Sequence, residues 1–125
     1  MEINGYENYT ITRDGKVFNN TTKKELKHFY QPKDGIPFVS LGKNGKWKNF
    51  SVGRLVYKHY VGPLEEYEII GRIDKDKTNN NPENLRVCMD NSKLLKYNND
   101  PKNVKIDFKQ AHEKIYLKNS LKINN

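Results

Sequence analysis

Apolar and polar positions alternate in short runs through the first fifty residues, and most runs end at a glycine-containing turn. Residues 9–12 (YTIT), the turn Arg13-Asp14-Gly15-Lys16, and then Val17 and Phe18 predict a β-hairpin, because β-branched and aromatic side chains flank an Asp-Gly pair. Residues 25–30 extend the pattern, with Leu26, His28 and Tyr30 alternating with Lys27 and Phe29. Turns at 32–35 and 42–45 lead into strands at 36–41 and 46–52, with Trp47 and Phe50 expected to pack inward. At Ser51 the period changes: Val52, Leu55, Val56, His59 and Tyr60 recur at helical spacing, and Gly62-Pro63 stops the helix. Residues 67–73 predict a short apolar strand and 74–81 a polar loop, after which Asn81 and Pro82 predict the capped start of a further helix. Val104, Phe108, Ala111, Ile115 and Leu121 trace one face of a final helix with a Lys-rich opposite face, and the tail from Lys122 is expected to fray.

This succession predicts an α+β fold in one domain: an N-terminal antiparallel β-meander, a ββα-like unit and a C-terminal amphipathic helix. The parts fall at 1–50, 51–97 and 102–121, the last a candidate oligomerisation element, so that a homo-oligomer is expected. Eight tyrosines and five phenylalanines supply the large side chains that a core needs, which argues against disorder throughout. The formal net charge of +8 is unevenly spread: residues 1–62 carry 11 Lys/Arg against 5 Asp/Glu, and residues 63–125 carry 12 against 10. Such an excess favours a polyanionic partner, with a merely solvated Lys-rich surface as the ordinary alternative. A single cysteine, Cys88, excludes an intramolecular disulfide, and no Cys/His cluster points to structural zinc. Neither a signal peptide nor an apolar run approaching the roughly 20 residues of a membrane span is visible, so a cytoplasmic protein is expected.

The motif content resembles the phage and intron-encoded HNH endonucleases over most of residues 3–95. The opening Ile3-Asn4-Gly5-Tyr6-Glu7-Asn8-Tyr9, with Ile11 and Asp14-Gly15-Lys16-Val17-Phe18, is similar to the small N-terminal module of those enzymes. Residues 51–56 (SVGRLV) look like their "VHRLV" helix start, and residues 69–87 parallel their histidine, Asn-Asn and Asn-Leu signature. The resemblance implies a ββα site in which a metal ligand and a general-base histidine fall on Gly71 and Arg72, an orienting asparagine on Asn84, and a second metal ligand on Lys93. The helix-start histidine falls on Gly53. Glycine offers no side-chain ligand, arginine stays protonated and lysine repels a cation, so the expectation is a degenerate ββα unit in a protein that is not an enzyme, with no metal or cofactor. Asp74 and Asp76 are read as turn residues, and His28, His59 and His112 as packing or surface residues.

Fixed cations where a metal would stand can still hold phosphate. Arg54, Arg72, Lys75, Lys77, Asn84, Arg86 and Lys93 are therefore the expected phosphate- or nucleotide-binding residues, with Phe18, Tyr57 or Tyr97 as stacking candidates. Size, basicity and the missing catalytic group also resemble the phage Thoeris anti-defence proteins. That resemblance implies sequestration of a cyclic nucleotide signal, such as a cyclic ADP-ribose isomer, as the leading functional expectation. An HNH-like DNA-binding protein is the alternative, and an active homing-type endonuclease a further one.

Overall fold

The computed structural model describes residues 1–124, with side chains placed through Leu121. Strands β1 (Glu2–Ile3), β2 (Tyr6–Ile11) and β3 (Val17–Asn19) form an antiparallel sheet in sequence order. A second sheet contains β4 (Phe29–Tyr30), β5 (Pro37–Lys43) and β6 (Lys46–Ser51). The chain then runs through α1 (Val52–Tyr60), β7 (Glu68–Arg72), β8 (Leu85–Met89), α2 (Asn91–Asn99) and α3 (Phe108–Asn124). The antiparallel pair β7–β8 followed by α2 is the ββα unit.

The meander has the predicted form, with two differences. Residues 25–30 do not continue the first sheet: Glu25 makes one bridge to Phe18, and the chain then crosses to the second sheet, where Phe29 pairs with Phe38. Trp47 is 71% exposed, its ring lying over Gly42 on the outer face, whereas Phe50 packs against the core. The β5–β6 turn is an Asn44-Gly45 pair with φ of 52° and 76°, the left-handed geometry that a two-residue hairpin demands.

The second half differs more. Pro82 opens only a single 3-10 turn, Pro82–Asn84, and the chain then becomes β8, so α2 starts at Asn91 rather than at Pro82. Asp90 caps α2 by accepting from the Lys93 amide at 3.1 Å. Helix α3 begins four residues later than the predicted apolar face, leaving Val104 outside it, and only Ala111 and Ile115 of that face are buried; Phe108 and Leu121 are exposed. The residues from Lys122, expected to fray, lie outside those whose side chains are described.

One core joins the parts. Ile3, Ile11, Val17, Val39 and Leu41 from the sheets meet Val52, Leu55, Val56 and Tyr57 of α1, Leu85 and Val87 of β8, and Ile115 of α3. Burying each such aliphatic side chain contributes about 1.5–3 kcal/mol, which explains why α1 lies between the sheets and the ββα unit. The Tyr60 hydroxyl ties α1 to β2 by donating to the Ile11 carbonyl at 2.6 Å, and the Tyr9 hydroxyl ties the two sheets together by accepting from the Gly42 amide at 3.1 Å.

Helix α3 is held onto its own sheet by two polar attachments. The Asn119 amide mimics a neighbouring strand on the outer edge of β8, accepting from Val87 N–H at 2.9 Å and donating to its carbonyl at 3.0 Å. Glu68 is fully buried, and its Oε1 receives Lys118 Nζ and the Glu65 amide at 2.5 and 2.6 Å. The Glu68 main-chain carbonyl accepts from Arg54 of α1. Removing one partner of a buried pair leaves an uncompensated charge. Lys118→Met is therefore expected to lower unfolding stability by about 3 kcal/mol, measured as a shift in the urea midpoint. A midpoint equal to that of the wild type would show that this pair does not hold α3.

Candidate nucleic-acid interface

The loop between β7 and β8 is organised by Asn84, which is almost fully buried. Its carbonyl accepts from Ile73 N–H at 2.8 Å, its Oδ1 accepts from Asp74 N–H at 3.1 Å, and its Nδ2 donates to Asp74 Oδ1 and to the Asn79 carbonyl, both at 2.9 Å. Asp74 in turn accepts from Asn79 Nδ2 and from the Asp76 amide, each at 2.8 Å. These donors, Asn79 foremost, hold the Asp74 carboxyl below its ordinary range. Asn84 thus closes the loop rather than pointing to a ligand.

Arg72, at the end of β7, turns toward α1. Its Nη2 donates to Asn80 Oδ1 at 2.5 Å, while its buried Nε has no partner. The guanidinium occupies space that a side chain at Gly53 would fill: a Cβ built there would lie 2.6 Å from Nη2. Asn80 is itself 3% exposed and lies under Gly15, whose φ of 92° and close approach to Val52 and Asn80 admit only glycine without displacement. The N-terminal hairpin turn therefore presses directly on the residue that fixes Arg72.

A cleft of about 710 Å³ opens beside this group. Its lining includes Lys48, Arg54, Lys58, Arg72 and Lys93, and no aspartate or glutamate. Burial pushes the Arg54 and Arg72 pKa values down, against the opposing pull of Glu68 on Arg54 and of Asp74 and Asp76 on Arg72. Lys58 is lowered by burial first and then by repulsion from Arg54 and Lys48. Crowded, partly desolvated cations of one sign are relieved by a bound anion.

The structure brings together Arg54, Arg72 and Lys93 of the expected binding residues. Lys75 takes a left-handed turn conformation on the exposed loop, Lys77 Nζ donates to the Asp34 carbonyl at 2.8 Å, Asn84 is internal to the loop, and Arg86 is exposed on β8 opposite Gly71. None of these four lines the cleft. The expected stacking aromatics do not line it either: Tyr57 is in the core and Tyr97 packs edge-on against Tyr67, whereas Phe38 and Phe50 do line it. Lys58 and Lys48 were missed. Lys58 follows Arg54 by four residues on one helix face, and Lys48 shares a strand face with Phe50 on β6, so both were recoverable from spacing.

Residues 51–93 match the family model described as HNH endonuclease. Over 95 residues the chain is 35% identical to an uncharacterized HNH endonuclease of Acanthamoeba polyphaga mimivirus, covering 76% of this chain and 28% of that relative. Over 86 residues it is 41% identical to DNA endonuclease I-HmuI of Bacillus phage SP01, covering 68% of this chain and 49% of the relative. A solved structure entitled "DNA binding and cleavage by the HNH homing endonuclease I-HmuI" superposes with a TM-score of 0.65 at 32% identity, over 95% of this chain and 67% of that one. The chain belongs to the HNH endonuclease family. It spans half or less of the length of the curated relatives it matches.

This membership overturns the expectation that the chain is not an enzyme. That expectation rested on Gly71, Arg72 and Lys93, yet all three lie within the stretch that the endonuclease family matches, and the relatives are described as endonucleases. The cyclic-nucleotide and anti-defence reading finds no support in these matches. Among the described residues no helix is long and apolar enough to cross a membrane.

HNH nucleases employ a divalent cation, and the positions at which the motif resemblance puts its ligands do not fit one here. A side chain at Gly71 would meet Cys88 Sγ at 3.0 Å, Arg72 and Lys93 carry positive charge, and no group of three or more His, Cys, Asp or Glu residues stands ready for a metal among the described residues.

The loop should depend on Asn84 and on the charge of Asp74. Asn84→Ala removes three side-chain hydrogen bonds and is expected to cost about 3 kcal/mol in urea unfolding. Because the folded pKa of Asp74 is depressed, its contribution is full above the unfolded value of about 3.9 and fades as pH falls through the lower folded one. The protection factor of the Asp76 amide should thus fall in acid, and Asp74→Asn should remove that dependence.

Proposed function

We propose that this chain is the DNA-acting module of an HNH-type endonuclease, holding a duplex by its phosphates in the basic cleft between α1, β6 and β7. The observation that carries this reading is the lining of Lys48, Arg54, Lys58, Arg72 and Lys93 with no carboxylate among them. Phosphate contacts of this kind give affinity that is independent of sequence and falls with salt. The kinship with I-HmuI, a DNA endonuclease, supports DNA over a small nucleotide as the ligand. Arg54, Arg72 and Lys93 are the phosphate-holding residues in this reading, joined by Lys48 and Lys58. Lys75, Lys77 and Arg86 contribute charge from outside the cleft, and Asn84 contributes by keeping the loop in place.

Duplex DNA should be retained at low salt. Lys58→Glu and Lys93→Glu should each weaken retention and reduce the slope of log affinity against log salt by about one, as expected for loss of one phosphate contact. Absence of retention would overturn the reading. A thermal shift with a cyclic ADP-ribose isomer, without DNA retention, would favour a nucleotide-sequestering protein instead.

A further inference from the structure

We propose that Arg72 is a built-in cation that grips a backbone phosphate directly, so that the chain holds DNA without a divalent metal ion. This rests on the reading of the cleft as a DNA site, and it names what replaces the metal there. Three observations converge on Arg72. Its guanidinium is fixed at one edge by Asn80 Oδ1, an acceptor on a side chain that is itself 3% exposed. It occupies room that exists only because residue 53 is glycine, since a Cβ at that position would lie 2.6 Å from Nη2 and 3.1 Å from Cζ. Its hydrogen-bond demand is also not met within the fold, because the buried Nε hydrogen has no acceptor among the described residues.

A guanidinium is planar, remains charged, and presents paired N–H groups that match two phosphate oxygens. Held at one edge by a buried asparagine, it loses less freedom on engaging an anion than a free surface arginine does. Its surroundings point the same way. Arg54 and Lys93 line the same cleft, and the nearest carboxylates that act on Arg72, Asp74 and Asp76, belong to the loop, where Asp74 is engaged by Asn79 and Asn84. A divalent cation at this place would meet Arg72 and Lys93 as like charges, with no side chain at Gly71 to hold it. Gly53 and Arg72 are thus one device: the glycine makes the room and the arginine fills it with charge.

The test is binding of a short fluorescent duplex, followed by anisotropy at fixed ionic strength in EDTA and in magnesium. The wild-type chain is expected to bind in EDTA at least as tightly as in magnesium, because retention then depends on fixed side-chain charge and magnesium competes for the phosphates. Arg72→Ala should weaken binding about tenfold in both buffers, the loss typical of a charged hydrogen-bonding partner, with Arg72→Lys recovering part of it. Gly53→Ala should weaken binding as well, because the added methyl meets the guanidinium and displaces it from Asn80. Binding that requires magnesium and is lost in EDTA would overturn the proposal without any variant, and so would Arg72→Ala binding as tightly as the wild type. No binding in either buffer would overturn the DNA reading itself and this inference with it.

Discussion

The buried carboxylate of Glu68 is the constraint on which the second half of the fold depends. A carboxylate with no solvent exposure must find partners where it stands: Lys118 of α3 and the Glu65 amide reach Oε1, Oε2 meets no partner among the described residues, and Arg54 of α1 grips the adjoining main-chain carbonyl. Helix, strand and connecting turn are thereby fixed to β7 at a single residue. Arg54 matters twice, since the guanidinium that reaches Glu68 also lines the cleft. The stability of the scaffold and the position of a cation in the site are the same fact seen from two sides.

A second chain of contacts runs from the N-terminal hairpin to Arg72. The Gly15 carbonyl lies 3.0 Å from His28 Nε2, and its α-carbon packs on Val52 and Asn80; Asn80 then fixes Arg72, which leans on Gly53. Each step needs a small or short polar residue at one position. A methyl group at 15 would press on Val52 and Asn80, and one at 53 would press on the guanidinium. The first sheet is therefore part of the support of the site as well as a neighbouring unit, although no residue of its hairpin turn lines the cleft.

Much of this was legible because the signals were local. The Asn44-Gly45 turn, the apolar spacing of Val52, Leu55 and Val56, and the Gly62-Pro63 stop each act within a few residues, and each element formed where its pattern lay. The errors came where tertiary context decides. Pro82 suits a helix start, yet Leu85 and Val87 find full burial only as a strand beside β7, so one turn is all that forms. Trp47 looks like a core residue in sequence, but residues 46–49 of β6 are all exposed, and its register against β5 puts the indole over Gly42 outside. The site divided in the same way: a list of basic residues mixes Arg54 and Arg72, which converge, with Lys75 and Lys77, which a turn directs elsewhere.

The asparagine skeleton shows why reading activity from single motif positions went astray. Asn84 bonds to the Asn79 carbonyl, both side chains bond to Asp74, and Asn80 bonds to Arg72, so their spacing encodes a closed loop whatever occupies positions 71 and 72. Loop closure and ligand chemistry are separable demands on the sequence: the first needs amides at fixed intervals to satisfy backbone groups, and the second needs charge of the right sign at the loop's mouth. Treating the loss of two ligand positions as the loss of the whole activity joins those demands where the structure keeps them apart. The frame matches a family of endonucleases through Gly71, Arg72 and Lys93 alike. What those three residues change is the charge at the mouth of the loop, and with it the means by which a phosphate can be held there.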